Sequence, residues 1–282
     1  MESSRNPKER FRQGLSLAAI MVLIVMVARL PLGRAALDLT WRLGPEARAS
    51  EYLVRVAAFL GGDDAKLSFS VGRAHHQAGR LSEAETFYRK ALKLDPHVGG
   101  AHYQLARIYF SGEGDLASAL AEINAELALH PLYLRSYYVR GLIHAYAGRL
   151  QEAEEDFKKL LGSPLLNAPN GWGAYVDLAW VHLRQERYQD ALELMGEASR
   201  RFPSNVWIEN ALGQSYVGLE RYPEARDAFQ NAVMLANNLT EEEWLMAYPA
   251  HQRRDASEGI QQIKKGMKFN LSLAEEKLGE GQ

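Results

Sequence analysis

One motif recurs at a nearly constant interval, and this recurrence limits the possible folds more than any other feature of the chain. The pattern Gly-Arg-Leu-x-Glu-Ala occupies residues 79–84 and 148–153, and looser copies occupy residues 186–191 and 220–225. With one further alanine at 119, the alanines that end these motifs lie at positions 84, 119, 153, 191 and 225, which are 35, 34, 38 and 34 residues apart. Such a period is typical of arrays in which each repeat is one supersecondary unit that stacks on its neighbours.

Each copy has the pattern of two amphipathic helices joined by a short turn. In the first copy, Gly72 lets the two helices approach closely, and Ala84 offers the small surface on which they cross. Gly79 supplies the end of the first helix, and Pro96 stops the second. The sequence therefore predicts an all-α solenoid of helix-turn-helix repeats.

The pattern resembles the tetratricopeptide repeat family, whose helix A carries a small residue early and whose helix B carries alanine, an aromatic residue, alanine and proline. The first copy matches this signature at Gly72, His75, Ala84, Tyr88, Ala91 and Pro96. The resemblance implies a right-handed superhelix of five repeats, at residues 65–98, 99–133, 134–167, 172–205 and 206–239. The second copy departs from the family by one residue inserted within 111–115, and the third by Leu160 and an early Pro164.

The N-terminal region has the pattern of a membrane anchor. A run of apolar residues at 15–28 follows a stretch with four cationic residues between positions 5 and 12. With its flanks the run reaches 14–32, close to the roughly 20 residues that a bilayer core requires. We expect a basic flank at 1–13 and a transmembrane anchor at 14–32, with Arg29 reaching the lipid headgroups. A cleaved signal peptide is the alternative, because Gly33 and Ala35 form a small-x-small site.

The distribution of charge around this run predicts its orientation. Lys and Arg are denser before the apolar run than after it, which favours a cytoplasmic N-terminus and repeats on the extracytoplasmic side, periplasmic or extracellular. Residues 33–64 are expected to form a juxtamembrane segment and an N-terminal capping helix. Within them, residues 35–43 alternate apolar and polar side chains, which suits either an interfacial segment or an ordinary packed one.

The C-terminal region, residues 240–282, is expected to form capping helices and a tail. Thr240 and Glu243 are spaced as a capping box. Ile260, Ile263 and Met267 form an apolar stripe on a final helix. A solenoid needs such a cap because its last repeat otherwise exposes an apolar face.

The segment 162–171 accounts for the 38-residue spacing and holds two prolines and two glycines. It is either a hinge or partner-binding loop, or a tolerated surface insertion, since loop length costs stability only slowly.

Composition excludes several classes of function. The formal net charge is -2 with 24% charged residues, whereas nucleic-acid binding requires a concentrated excess of Lys and Arg. The chain has no cysteine, which removes thiolate nucleophiles and Cys-ligated zinc. It has no phosphate-binding glycine loop, metalloprotease motif or nucleophile elbow, and the adjacent His75 and His76 have no second ligand at metal spacing. We therefore expect no catalytic residue, metal, cofactor or nucleic-acid partner, and no enzymatic activity.

The resemblance places partner binding in a concave groove lined by the first helices of the repeats. The positions that correspond to this lining mix cations and aromatic rings: Arg73, Tyr103, Arg107, Phe110, Arg135, Tyr138, Tyr146, Trp180, Arg184, Asn210 and Gln214. Because arginine and large aromatic residues are common interface anchors, this mixture favours an extended peptide with acidic and apolar side chains. The family's carboxylate clamp for chaperone tails is not reproduced, because Phe69 and Arg73 stand where lysine and asparagine are expected.

These features together predict a membrane-anchored scaffold or adaptor that binds a protein or peptide partner in its groove, in the assembly of a membrane or envelope machinery. The alternative is a constitutive structural subunit of a large membrane protein complex. In that case a neighbouring subunit fills the groove permanently.

Overall fold

The computed structural model describes residues 26–44, 47–161, 163, 171–248 and 255–280, and every regular element within them is a helix. The chain divides into two compact units, of which the first ends at Ile108 and the second begins at Tyr109. Unit 1 contains helix α1 at residues 26–43, α2 (Arg48–Leu60), α3 (Ala65–Gln77), α4 (Leu81–Leu94) and α5 (Ala101–Ile108). Unit 2 contains a π-helix (Tyr109–Glu113), α6 (Leu116–Leu129), α7 (Leu134–Tyr146), α8 (Leu150–Lys158), α9 (Trp172–Arg184), α10 (Tyr188–Arg201), α11 (Val206–Gly218), α12 (Tyr222–Asn237), α13 (Glu241–Ala247) and α14 (Ala256–Glu280).

Helix α1 extends the solenoid towards the N-terminus. The predicted boundary between an anchor at 14–32 and a juxtamembrane segment at 33–64 falls inside this helix. Leu30, Ala36 and Leu37 of α1 lie in one apolar cluster with Val54 of α2 and Leu67 of α3. The residues at 35–43 are thus part of a packed helix, whose inward stripe follows helical spacing.

Of the predicted anchor, residues 14–25 lie outside the described residues, as does the basic flank at 1–13. In the described part of the chain, no helix combines the length and the apolar character needed to cross a bilayer. The guanidinium of Arg29, expected at lipid headgroups, donates to Asp63 Oδ2 at 3.2 and 3.3 Å. Met26, Val27 and Leu32, in contrast, are exposed.

The two helices of a repeat approach closely where a glycine of the first faces an aromatic ring of the second. Three pairs share this arrangement: Gly72 with Tyr88, Gly141 with Phe157, and Gly213 with Phe229. A Cβ atom at Gly141 would lie 2.7 Å from the Phe157 ring, well inside contact distance. In the fourth repeat Ala179 replaces the glycine, and Met195 replaces the ring in the same buried cluster. A flexible methionine side chain leaves room for the extra methyl group.

The turn between paired helices requires a left-handed residue. Gly79 and Gly148 have φ angles of 71° and 75°, and Glu186 and Glu220 take the same place with φ angles of 59° and 57°. Only glycine adopts this region without steric cost. The two later turns therefore store strain that the two earlier turns avoid.

The residue inserted into the second repeat is absorbed by the π-helix at 109–113. The Asp115 N–H donates to the Tyr109 carbonyl at 2.9 Å, which closes this wider turn. The Asp115 side chain then caps α6 by accepting from Ala117 N and Ser118 N, both at 3.1 Å. A single extra residue is commonly accommodated in this way, because the π-turn returns the chain to its helical register.

The C-terminal helices cover the fifth repeat. Thr240 and Glu243 form the expected capping box at the start of α13. Met267 of α14 lies in an apolar cluster with Val206 of α11 and Ala232 of α12. Helix α14 thus buries the face that a sixth repeat would otherwise cover.

Two ion pairs hold the buried carboxylates of α8, one within the third repeat and one between the third and fourth repeats. The Arg140 guanidinium donates twice to Asp156 at 2.7 Å, and that of Arg187 donates twice to Glu154 at 3.0 Å. Burial alone would raise the pKa of Glu154, but Arg187 and Lys158 outweigh burial and lower that pKa to about 2. Glu154 is therefore ionised at neutral pH and held by charge-assisted hydrogen bonds.

Candidate partner-binding surface

The predicted groove residues of unit 1 lie against aromatic rings of the same unit. The Arg73 guanidinium carbon lies 5.6 Å from the ring centroid of Trp41 on α1. The Arg107 guanidinium carbon lies 5.8 Å from the Tyr103 ring, and its Nη1 donates to Gln104 Oε1 at 3.2 Å. These cations contribute cation-π contacts within the unit as well as charge at its surface.

Three histidines occupy the same position in their repeats, and all three are buried. His75, His144 and His182 are each less than 10% exposed. Burial is the main cause that lowers the pKa of all three below the ordinary value of histidine. His75 Nδ1 accepts a hydrogen bond from Arg80 Nε at 3.0 Å. These side chains are neutral packing groups near neutral pH.

In unit 2 the first helices of three repeats pack in succession, α7 against α9 and α9 against α11. We call the exposed surface of these three helices the A face. One side of each of these helices packs against α8, α10 or α12. The A face consists of the side chains on the other side, which recur at spacings of three and four residues.

An aromatic row runs from the π-helix onto the A face. The ring centroids of Phe110 and Tyr146 are 5.4 Å apart, and those of Tyr146 and Trp180 are 6.1 Å apart with an interplanar angle of 26°. The Arg184 guanidinium carbon lies 5.0 Å from the Trp180 centroid. The Tyr146 side chain is 69% exposed. The structure thus brings together four predicted site residues, from three consecutive repeats.

Tyr138, another predicted site residue, is joined to an acidic neighbour. Its hydroxyl donates to Asp177 Oδ2 of α9 at 2.6 Å. Burial raises the pKa of Asp177 to about 6, although the hydrogen bond from Tyr138 acts in the opposite direction. Asp177 keeps part of its surface exposed. Its carboxyl is therefore recessed, on the side of α9 that faces α7.

Trp172, Trp207 and Tyr248 form an aromatic cluster at the first turns of α9 and α11. The two indole rings stack with centroids 4.5 Å apart, and Trp207 Nε1 donates to the Tyr248 hydroxyl at 3.1 Å. Burial raises the pKa of Tyr248, and the charge of Asp177 acts in the same direction. Tyr248 therefore lies within electrostatic reach of Asp177.

The remaining predicted residues differ in their surroundings. Arg135 and Gln214 are exposed on α7 and α11. Asn210 lies beneath α14, since Asn270 Nδ2 donates to its Oδ1 at 2.7 Å. Asn210 is thus already engaged by the C-terminal cap.

No group of three or more His, Cys, Asp or Glu side chains in the described residues is arranged to hold a metal ion.

Comparison with known proteins identifies the repeats. Three tetratricopeptide repeat models match the chain, one at residues 30–99 and 176–238, one at 75–132 and one at 134–163. The chain belongs to the tetratricopeptide repeat (TPR) family. The first match begins at residue 30, within α1, and runs through α2, α3 and α4.

Two curated relatives match parts of the chain. DnaJ homolog subfamily C member 3 from Mus musculus is 30% identical over 100 residues, which are 36% of this chain and 20% of the relative. Cellulose synthase operon protein C from Pseudomonas fluorescens is 25% identical over 185 residues, which are 62% of this chain and 14% of the relative. The chain therefore spans a fifth or less of the length of these relatives.

Solved TPR structures share the fold. A tetratricopeptide repeat protein from Parabacteroides merdae superposes with a TM-score of 0.59 at 16% identity and covers 86% of this chain and 99% of its own. YrrB, described as a TPR protein with an unusual peptide-binding site, gives a TM-score of 0.54 at 17% identity over 73% of this chain and 98% of its own. PilW, described as a type IV pilus biogenesis factor, gives a TM-score of 0.55 at 15% identity over 77% of this chain and 98% of its own.

Two residues near the aromatic row, Asp177 and Tyr248, were not found from the TPR pattern because they do not recur at its period. Asp177 had a detectable signal, since the first helices of the five predicted repeats otherwise contain a single acidic residue, Glu209. Tyr248 had none, because its position depends on how α13 packs near the start of α14. Reasoning from the repeat period therefore does not identify residues that occur in a single repeat.

Proposed function

We propose that this TPR protein is a scaffold that holds an extended segment of a partner protein along the A face. The aromatic row of Phe110, Tyr146 and Trp180, ending in Arg184, is the observation that carries the proposal. Large aromatic side chains and arginine are common interface anchors. The aromatic rings bury much area for little lost side-chain freedom, and arginine adds stacking and paired hydrogen bonds. The peptide-binding site named for YrrB, a protein of similar fold, supports a peptide ligand.

The proposal includes attachment to a membrane. An anchor at residues 14–32, with a cytoplasmic N-terminus and extracytoplasmic repeats, is supported by the apolar run at 15–28 and its basic flank. The exposed apolar side chains of Met26, Val27 and Leu32 continue that run into α1. Such a tether would hold the A face at a membrane surface, where it would serve the assembly of a membrane or envelope machinery.

Site-specific photocrosslinking tests the proposal in cells that naturally make the full-length protein. Benzoylphenylalanine replaces Tyr146 or Trp180 on the A face, and Glu155, exposed on α8, serves as the control site. We expect both A-face sites to capture one protein that the control site does not capture. Equal capture from all three sites, or capture from Glu155 alone, would contradict the proposal.

The strength of the captured complex separates the proposal from the alternative of a constitutive subunit. A scaffold that binds and releases its partner gives crosslinks that a soluble copy of the partner segment competes away. A fixed subunit gives crosslinks that such a competitor leaves unchanged, because the neighbouring chain does not dissociate.

A further inference from the structure

The A face contains a carboxylate, Asp177, that is not part of the aromatic row. Asp177 is recessed and carries a pKa raised by burial to about 6, so its charged form is poorly stabilised by its surroundings. Its hydrogen-bond donor is the neutral hydroxyl of Tyr138 at 2.6 Å. A carboxylate has two oxygens and can accept further hydrogen bonds.

The same protein shows how it stabilises a buried carboxylate elsewhere. Asp156 is 2% exposed and accepts two hydrogen bonds at 2.7 Å from the Arg140 guanidinium. The carbon of that guanidinium lies 5.3 Å from the ring centroid of Tyr137. The arrangement combines a carboxylate, an adjacent tyrosine ring and a guanidinium that binds both.

Asp177 has the first two parts of this arrangement. Tyr138 donates to it from α7, and Trp180 follows it by three residues on the same side of α9. Tyr248 lies within electrostatic reach of Asp177. Tyr146 lies within electrostatic reach of Tyr248. In the described part of the chain, the causes that set the pKa of Asp177 are burial and the Tyr138 hydroxyl, not a cation.

We propose that Asp177, together with Tyr138, Tyr146, Trp180 and Tyr248, forms a subsite for an arginine side chain of the partner protein. A guanidinium fits better than an ammonium, because it is planar, donates two parallel hydrogen bonds to a carboxylate and stacks on aromatic rings. This inference rests on the proposed function and names the chemistry of its ligand. The arginines of the groove predicted a partner segment with acidic and apolar side chains. The Asp177 subsite instead favours a partner segment with an arginine beside apolar side chains.

Three short peptides serve as probes of the full-length protein in detergent micelles. They are acetyl-Leu-Arg-Leu-amide, its citrulline counterpart, which is neutral and nearly isosteric, and acetyl-Leu-Glu-Leu-amide. Binding is followed by the NMR signal of the Trp180 indole N–H, which is assigned with Trp180→Phe. The variant Asp177→Asn removes the charge, and Glu155→Gln removes an exposed carboxylate of α8 as a matched control.

We expect the arginine peptide to bind about tenfold more tightly than the citrulline peptide, as befits a charge-assisted pair in a recessed site. Asp177→Asn should abolish this difference, and Glu155→Gln should preserve it. Equal binding of the arginine and citrulline peptides, a lack of binding by both, or a preference for the glutamate peptide would overturn the proposal.

The crosslinking experiment separates failure of this subsite from failure of the proposed function. If Tyr146 captures a partner and Asp177→Asn does not weaken the capture, the scaffold function stands and the arginine subsite is wrong. If the peptides discriminate but the A face captures no protein, the subsite stands and the scaffold function is wrong.

Discussion

The Tyr138 hydroxyl donates to Asp177 across 2.6 Å and so joins the first helices of two consecutive repeats. So short an O–H···O bond is typical of an ionised acceptor, yet burial raises the pKa of this carboxyl to about 6. The negative charge of Asp177 therefore lowers the stability of the folded protein. Groups of this kind concentrate at functional sites, because selection for stability alone would replace them.

Asp177→Asn should stabilise the protein at neutral pH. Because the pKa of Asp177 is higher in the folded protein than its ordinary 3.8, the folded state binds this proton more tightly than the unfolded state. The contribution of Asp177 to the free energy of unfolding is therefore highest below about pH 4. It falls as the pH rises to about 6 and stays low at higher pH. We expect the variant to raise the free energy of unfolding by about 2 kcal/mol near pH 7.5 and by close to zero near pH 4.

Urea unfolding of the wild type and the variant at the two pH values measures this difference. A loss of stability near pH 7.5 would show that the charged carboxylate supports the fold. In that case Asp177 is a structural residue.

The exposed ring of Tyr146 should matter more for binding than for folding. It is 69% exposed, so Tyr146→Ala should change the free energy of unfolding by less than about 1 kcal/mol. It should nevertheless weaken partner capture at Trp180 by about tenfold, as loss of an aromatic anchor typically does. Tyr52 of α2 is 70% exposed and provides a matched control, Tyr52→Ala. If both alanine variants weaken capture equally, the A face has no special role.

Glu154 should contribute strongly to the stability of unit 2. Glu154→Gln takes the charged acceptor from Lys158 and from Arg187, which keeps Asp190 at 3.1 Å as its other acidic neighbour. The variant should lower the free energy of unfolding by about 3 kcal/mol. Because the folded pKa is lowered from 4.5 to about 2, the stability due to Glu154 is fully present above about pH 4.5. It is lost as the pH falls towards 2.

Urea unfolding from about pH 7 to pH 2.5 tests this dependence. The effect of Glu154→Gln should shrink as the solution becomes more acidic. The neighbouring exposed residue gives the control Glu155→Gln, which should stay within about 0.5 kcal/mol of the wild type throughout. A loss that is independent of pH would show that packing, not charge, is responsible.

The repeat period predicted the helical pairs because small residues recur where the two helices of a pair cross. Gly141 must be small since the Phe157 ring occupies the space of its side chain, and this constraint recurs in every copy that uses a ring. The extra residue in the second repeat was visible in the sequence, but its absorption by a π-helix at 109–113 was not. That outcome depends on the small energy difference between two helical turns.

The candidate site was only partly predictable from the sequence. Tyr146 and Trp180 followed from their repeat positions, and the structure places their rings 6.1 Å apart. The engagement of Asn210 by Asn270 and the approach of Tyr248 to Trp207 involve residues 60 and 41 positions apart along the chain. No local period encodes contacts across such separations, because they depend on how α13 and α14 pack.

The two strained turns of unit 2 should be improved by glycine. Glu186 and Glu220 adopt left-handed φ angles of 59° and 57°, a conformation that costs a residue with a Cβ atom roughly 1–2 kcal/mol. Glycine removes this cost but loses more chain entropy on folding, so Glu186→Gly and Glu220→Gly should each raise the free energy of unfolding by about 0.5–1 kcal/mol. The same substitution inside helix α8, Glu155→Gly, should lower it by about 1 kcal/mol. Thermal and urea unfolding check the opposite signs, and destabilisation by all three glycine variants would show that the left-handed turns are not strained.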